Sequence, residues 1–455
     1  MDNKLLIEKL IDAAGKENVF TDNEHLIIYQ RGSIDPLKHM PLAVVKITDE
    51  KNISRVIKIA NEFNINIIAR GGGSSPTGAV VPDDNTLIMD LRPLNKINVS
   101  IEDGYVEAYA GATLQEVNEE CKKYNFFFPP DPSSVSVSTV GGAINENSGG
   151  MRCARYGVVK DWILKLDVVL ADGSETTFGE AIYKNRGGFN IIDLIAGSEG
   201  TLCIVKKAWL KIIAMPKKIY RIAGFYDNIN DAMDAILAIR KLNPLILEFS
   251  DYYGIVAANK IRGFSYPETR GGMVLADTDF DESYLEDIKK IMEKNASKII
   301  IPENKDEFNN IFEVRRIAFT APGILFPGFI DGDVVVPLSK LKDMINFVYK
   351  TREKYGVYIA TCGHAGDGNL HPQIGGNPDD HENWRNVLLA MDDINIEAVR
   401  LGGSISGEHG IGRIKKDLLL KQLKYKKQDE TIIIMKNLKK MFDPKNILNR
   451  GNFFD

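Results

Sequence analysis

Apolar and polar positions recur along this chain with two periods, and the switch from one to the other marks out its elements. Leu5, Leu6, Ile7, Leu10 and Ile11 follow helical spacing. Residues 43–48 (AVVKIT) are short and β-branched and read as a strand. Ile53, Val56, Ile57 and Ala60 then fall on one face of a helix predicted over 49–63. Asn66–Arg70 is a second strand, and a glycine-rich turn follows it. Short β-rich runs come next at Thr86–Asp90, 97–101 and Tyr105–Tyr109, then a helix over 114–124. From 129 to 150 the chain is dense in Pro, Ser and Gly and reads as a long loop. Strands resume at 164–170 and 202–213.

The turn Pro216-Lys217-Lys218 is a boundary. Beyond it strands at 219–226, 245–249, 273–277 and 298–301 alternate with helical patterns at 231–242 and 284–294. That rhythm predicts an α+β domain whose sheet is covered by helices. The C-terminal stretch is helical, with Ile432, Ile433, Met435, Leu438 and Met441, and ends in DPKNILNRGNFFD.

Composition narrows the class. The chain has 455 residues, 44% apolar and 26% charged, as in ordinary globular proteins, so two or three domains are expected. Its 57 basic and 62 acidic residues leave a net charge of -5, which gives no electrostatic case for nucleic acid. No apolar run reaches the ~18 residues of a membrane span. The polar, amphipathic start MDNKLLIEKLIDAAGKENVF is not a signal peptide, so a cytoplasmic protein is expected. Cys121, Cys153, Cys203 and Cys362 are scattered and form no CxxC, which argues against a disulfide framework, a structural zinc site or an iron–sulfur cluster.

Three loops carry chemistry. The first is Arg70-Gly71-Gly72-Gly73-Ser74-Ser75-Pro76-Thr77-Gly78, directly after a predicted strand. Such a loop lets backbone N–H groups approach an anion, although it is neither GxGxxG nor a Walker A sequence. The second runs from Pro129-Pro130-Asp131-Pro132-Ser133-Ser134 through Ser138-Thr139-Val140-Gly141-Gly142-Ala143-Ile144-Asn145-Glu146-Asn147-Ser148-Gly149-Gly150. The third, Ala196-Gly197-Ser198-Glu199-Gly200-Thr201, precedes a strand. Three small-residue loops in one domain suggest one extended ligand lying across them.

Together these loops resemble the flavin-contacting segments of the vanillyl-alcohol oxidase, or p-cresol methylhydroxylase, family of flavoproteins, and the likeness spans nearly the whole chain. It implies α+β architecture: a two-part FAD-binding domain of the p-cresol methylhydroxylase type plus an antiparallel-sheet substrate, or cap, domain. The expected domains are 1–216 for FAD, 217–417 for substrate and 418–455 returning to the FAD domain. The cofactor contacts implied are Arg70, Gly71, Gly72, Gly73, Ser74, Ser75, Thr77, Gly78, Pro130, Asp131, Ser134, Ser138, Thr139, Gly141, Gly142, Asn145, Ser148, Gly149, Gly150, Glu199, Gly200, Ile204 and Asn449. Some members attach the flavin through a His in the first loop. None stands there in this chain, so non-covalent FAD is expected.

The second half holds a different signal. Gly363-His364-Ala365-Gly366-Asp367-Gly368-Asn369-Leu370-His371 sets two imidazoles seven residues apart around a glycine turn, and Ser406-Gly407-Glu408-His409-Gly410-Ile411-Gly412 adds a carboxylate and a third imidazole. Two His and one Glu can hold a divalent cation and leave positions for substrate. The plainer reading is hydrogen-bonded loop histidines, and it suits His25, His39 and His381 better. These motifs resemble those of the D-2-hydroxyacid dehydrogenase branch of the same family, which includes D-lactate dehydrogenases and the flavin subunit of glycolate oxidase. That likeness implies metal ligands His364, His371 and Glu408 (for Zn, Mn or Fe), with His409 facing the substrate hydroxyl and Arg315 pairing with the substrate carboxylate. D-2-hydroxyglutarate enzymes of the branch carry a Lys just before a strand where this chain has the acidic Asp331-Gly332-Asp333, which favours a small monocarboxylate.

The activity expected is FAD-dependent oxidation of a small D-2-hydroxy acid, lactate before others, to the 2-oxo acid. A glycolate oxidase flavin subunit and a non-catalytic flavin-binding subunit are the alternatives. Electrons are expected to leave to an electron-transferring flavoprotein or an iron–sulfur subunit.

Overall fold

The computed structural model describes residues 2–33 and 37–453. By contacts the chain divides into two compact units. One comprises Met1–Gly149, Val158–Met215 and Glu408–Asp455, and the other comprises Gly150–Gly157 and Pro216–Gly407. The first unit resumes at Glu408, ahead of the expected 418, so Glu408 and His409 belong to it, while Ser406 and Gly407 of the same motif belong to the second unit.

The first unit begins with a four-stranded sheet in the order Val19–Phe20, Ala43–Lys46, Thr86–Asp90, Asn66–Arg70. The last three strands are parallel. Parallel strands need crossover connections, and the helix Lys51–Phe63 supplies the one from Ala43–Lys46 to Asn66–Arg70, which flank Thr86–Asp90 in the sheet. That helix buries Ile53, Val56, Ile57 and Ala60 and ends on Asn64 in the left-handed region, at φ 53. A second sheet is antiparallel, in the order Ile97–Ser100, Tyr105–Tyr109, Ile204–Lys211, Ile163–Val169, Glu175–Gly179.

The stretch expected to be a structureless loop, 129–150, holds a seven-residue helix, Val140–Glu146. Its two glycines each lower helix propensity by about 1 kcal/mol and masked it. Thr139, whose Oγ1 accepts from Gly142 N at 3.3 Å, is the cap that starts it. Near the C-terminus, Leu448 forms a parallel bridge with Ile67 at the edge of the first sheet. The helix Asp429–Phe442 turns Ile433, Ile434 and Met441 to solvent and buries Lys439 instead.

The second unit is built on one antiparallel sheet, in the order Lys298–Ile300, Tyr220–Tyr226, Gly272–Thr278, Ile246–Ser250, Tyr358–His364, Asn369–Gly376, Gly328–Asp331, with Val334–Val335 also pairing to Asn369–Gly376. Alternate residues of a strand face opposite sides. Leu247 and Phe249 therefore join one core, which includes Ile236, Ile288, Met344 and Ile394 from the covering helices. On the other side Phe225, Met273 and Leu275 pack with residues of the helices Tyr252–Arg262 and Lys305–Leu325. Among the described residues no helix is long and apolar enough to cross a membrane.

Candidate functional site

In the first unit the loop 71–75 leaves the carboxyl end of the parallel strand Asn66–Arg70, the position where open α/β sheets bind ligands. It forms one wall of a cleft of about 710 Å³, its open mouth included. Of the residues expected at a flavin, Gly71, Gly72, Gly73, Ser74, Ser75, Ser138, Thr139, Gly141, Gly142, Asn145, Ser148, Glu199, Gly200 and Asn449 line this cleft. The first two loops are pinned to each other by a serine chain: Ser74 Oγ lies 3.1 Å from Ser138 Oγ, which lies 2.7 Å from Ser134 Oγ.

Other expected contacts sit elsewhere. Arg70 does not line the cleft; its Nη1 donates to Arg31 O at 2.8 Å and its guanidinium stacks over Tyr29. Thr77 receives the backbone N–H groups of Arg413 and Ile414 on its carbonyl. Gly78 lies at φ 74, packed near Leu37. Ser134, Pro130, Asp131 and Gly149 do not line the cleft, and Gly150 belongs to the second unit. Ile204 points into the core, and its neighbour Val205 lines the cleft instead, one step along a strand being one change of side.

The cleft fits a polar cofactor. Among the described residues, Asn145 Oδ1, Glu146 Oε2 and Asn449 Oδ1 are buried there without a hydrogen-bond partner. Buried polar oxygens are seldom left unpaired, so a ligand bearing donors is the natural complement. Glu146 was not foreseen. Its pKa is raised well above the ordinary carboxylate range, first by burial and then by the charge of Glu199. Glu199 is pushed to about 7 by burial, against the N–H groups of Ile411 and Gly412 that its carboxylate accepts at 2.6 and 2.9 Å. Its side chain thus ties down the Gly410–Gly412 turn, and its place in the cleft wall is shared with that duty. His409 lies in the same unit; its carbonyl accepts from Thr77 Oγ1 at 3.4 Å, and its Nε2 is 3.8 Å from Glu408 Oε1.

In the second unit the glycine turn of GHAGDGNLH is a hairpin between Tyr358–His364 and Asn369–Gly376. His371 pairs with Cys362, so His364, two residues on, shares its face. The two rings meet edge to face with centroids 5.2 Å apart, and their ligand nitrogens lie within 4.8 Å. His364 Nδ1 is 2.8 Å from Glu248 Oε1, and Arg315 Nε donates to Glu248 Oε2 at 2.5 Å. His371 Nδ1 is 3.3 Å from Gly332 O. Phe319, one turn after Arg315 on the same helix, packs edge-on against His371.

Burial pushes the Glu248 pKa up, but His364 and Arg315 outweigh it and hold the carboxyl below its ordinary value. Sequence reasoning missed Glu248, and the signal was a lone acid inside an apolar strand, ILEFS. It also missed Asp333, which accepts from Asn369 Nδ2, Ser406 Oγ and Gly407 N. Asp331 caps no helix; it accepts from Gln373 Nε2, and one of its oxygens lies within 4.8 Å of a ring nitrogen of His371. His25 and His39 instead pair with Asp22 and Asp84 on the surface.

Known proteins share this organisation. Residues 41–179 match the FAD binding domain family, and residues 215–453 match the family of FAD linked oxidases, C-terminal domain. The glycolate oxidase subunit GlcD of Bacillus subtilis is 34% identical over all of this chain and 97% of that protein. A D-lactate dehydrogenase of Archaeoglobus fulgidus is 31% identical over 90% of each chain. Among solved structures, p-cresol methylhydroxylase with substrate bound superposes with a TM-score of 0.79 at 16% identity, covering 99% of this chain and 97% of that one, which shows the fold. With both halves matched and the GlcD likeness running end to end, the chain belongs to the FAD-linked oxidases, in the branch that contains D-lactate dehydrogenases and GlcD.

Proposed function

We propose that this FAD-linked oxidoreductase oxidises a small D-2-hydroxy acid, D-lactate, to the 2-oxo acid, and delivers the electrons to a separate protein. The observation that carries the reading is the buried arginine beside two imidazoles on one sheet face: Arg315 and His364 joined through Glu248, with His371 next to them. A guanidinium held in that way grips a carboxylate in bidentate fashion. The 2-hydroxyl must give up a proton, and His409 is the base assigned to take it. His364 and His371 would supply two nitrogen donors to a divalent cation, and such a cation would stabilise the alkoxide as the hydroxyl proton leaves. Glu408 is in the other unit, and its part as third ligand rests on the motif. FAD, when bound, supplies a two-electron acceptor at N5.

Asp331 bears on the charge of the substrate. A carboxylate near His371 repels a second substrate carboxylate, which favours lactate over hydroxy dicarboxylates. A second reading, glycolate, is favoured by the likeness to GlcD. Steady-state kcat/KM with an artificial dye separates the two. D-lactate should exceed glycolate and D-2-hydroxyglutarate, with L-lactate inert. Glycolate turnover above D-lactate turnover would move the assignment to the second reading. The name of the GlcD relatives, as a subunit, supports an acceptor protein outside this chain.

A further inference from the structure

The three strands that carry the histidine face also carry an acid whose place is set by register. Phe249 pairs with Gly363 and Ser250 with Cys362. Continuing that ladder sets Glu248 opposite His364, on the face shared by His371. The helix Lys305–Leu325 covers this face and brings Arg315 onto the same carboxylate. Glu248 is 0% exposed, so neither oxygen is diluted by water. Each oxygen serves a different partner: Oε2 accepts from Arg315 Nε and Oε1 meets His364 Nδ1.

We propose that Glu248 is a positioning residue, one buried carboxylate that fixes both the substrate-gripping arginine and a metal-binding histidine. The inference rests on the function proposed above. Engaging Arg315 through Nε fixes the plane of its guanidinium, so a substrate carboxylate meets it in one set orientation. Engaging His364 through Nδ1 fixes the tautomer in which Nε2 is the ligating nitrogen, the arrangement by which outer carboxylates orient metal-bound imidazoles. Substrate grip and cation site are therefore set by the same side chain, which explains an acid at this point of an otherwise apolar strand.

Glu248→Gln separates the roles. A carboxylamide has one acceptor and one donor end, while both partners present N–H groups, so one of the two contacts must fail. The FAD-loaded full chain is titrated with zinc by calorimetry, and KM for D-lactate is measured in wild type, Glu248→Gln, Arg315→Lys and the double variant. The expected result is zinc affinity lowered about 10- to 100-fold, the range seen for lost outer partners of metal ligands. KM should also rise about tenfold in the wild-type background and change little in the Arg315→Lys background. Additive effects in the double variant would show a merely structural role and overturn the proposal. Unchanged zinc affinity and KM in Glu248→Gln, with a wild type that binds zinc, overturn it while leaving the proposed function intact. A wild type that takes up neither zinc nor, in the same titration, manganese or ferrous iron overturns the metal assignment itself and the histidine half of this proposal with it. If Glu248→Gln does not accumulate, Glu248→Asp, which keeps both acceptors and shortens their reach, is read by the same measurements.

Discussion

Asn449 shows how single residues of the cleft were legible and single roles were not. Its place in the terminal ILNRG segment marked it, and the structure shows why it is held: Nδ2 donates to Glu199 O at 2.6 Å, its N–H donates to Ile67 O, and Oδ1 faces the cleft. Asn449→Ala should weaken FAD retention about tenfold, the worth of roughly one buried hydrogen bond, measured by flavin release on dilution. Unchanged retention would remove Asn449 from the cofactor's contacts. His371→Ala should lose bound metal and nearly all turnover while keeping its yellow colour, because the cleft lies in the other unit; metal analysis beside the flavin spectrum decides it. A third residue gives a pH signature. Burial raises the Asp251 pKa from 3.8 to about 7, against the N–H of Gly254 and the charge of Arg352. Between those values the unfolded chain has lost its proton and the folded chain has kept it, so stability falls as pH rises from about 4 to 7 and is then level. Asp251→Asn keeps an oxygen for Gly254 N–H and removes the penalty. It should match wild type near pH 4 and melt later at pH 8, by on the order of 4 kcal/mol at ~1.4 kcal/mol per unit. Equal melting at both pH values would contradict the assignment. Glu248 and Glu146 escaped the sequence because each is one acid in a regular element, and pairing partners far along the chain give it meaning.

At the scale of elements, strands with alternating or uniformly apolar residues were readable, and Asn66–Arg70, Thr86–Asp90 and Tyr105–Tyr109 stand where the pattern set them. Helices were harder where the sequence works against them. Lys305–Leu325 includes Pro322 and several aromatic residues, and tertiary packing on the sheet overrides those preferences. The helix Asp429–Phe442 inverts the usual rule, since its anchor is the buried Lys439. Nζ donates to Thr201 O at 2.9 Å, to Leu448 O at 2.7 Å and to Asp443 Oδ2 at 2.6 Å. Lys439→Met leaves Asp443 buried without its cation and should cost about 3–5 kcal/mol, read as a lowered melting temperature. A loss under ~1 kcal/mol would show the network to be peripheral. Gly410 is a second element-scale test. It sits at φ 83, and a Cβ there would lie 2.7 Å from Glu146 Oε2 and 2.8 Å from Glu199 Oε1. Gly410→Ala should therefore loosen the turn that Glu199 holds and lower FAD retention; retention equal to wild type would show that the turn can give way.

For the whole molecule, the break at Pro216 was written in local turn chemistry, whereas the short excursion Gly150–Gly157 and the return at Glu408 were not. Those crossings depend on which core each segment packs into, and no local pattern encodes that. The two-part architecture itself was legible because the three loops of the first unit and the histidine hairpin of the second each kept their residues together in sequence. With no His in the first loop, acid precipitation should leave the flavin in the supernatant, and flavin in the pellet would show a covalent link. The central claim, that this FAD-linked oxidase takes hydride from a D-2-hydroxy acid, is tested most directly by mixing the oxidised holoenzyme with D-lactate without oxygen and following flavin absorbance. D-lactate should bleach the flavin rapidly and stoichiometrically, and L-lactate should leave it oxidised. A flavin that stays oxidised with D-lactate, glycolate and every other D-2-hydroxy acid supplied would contradict it.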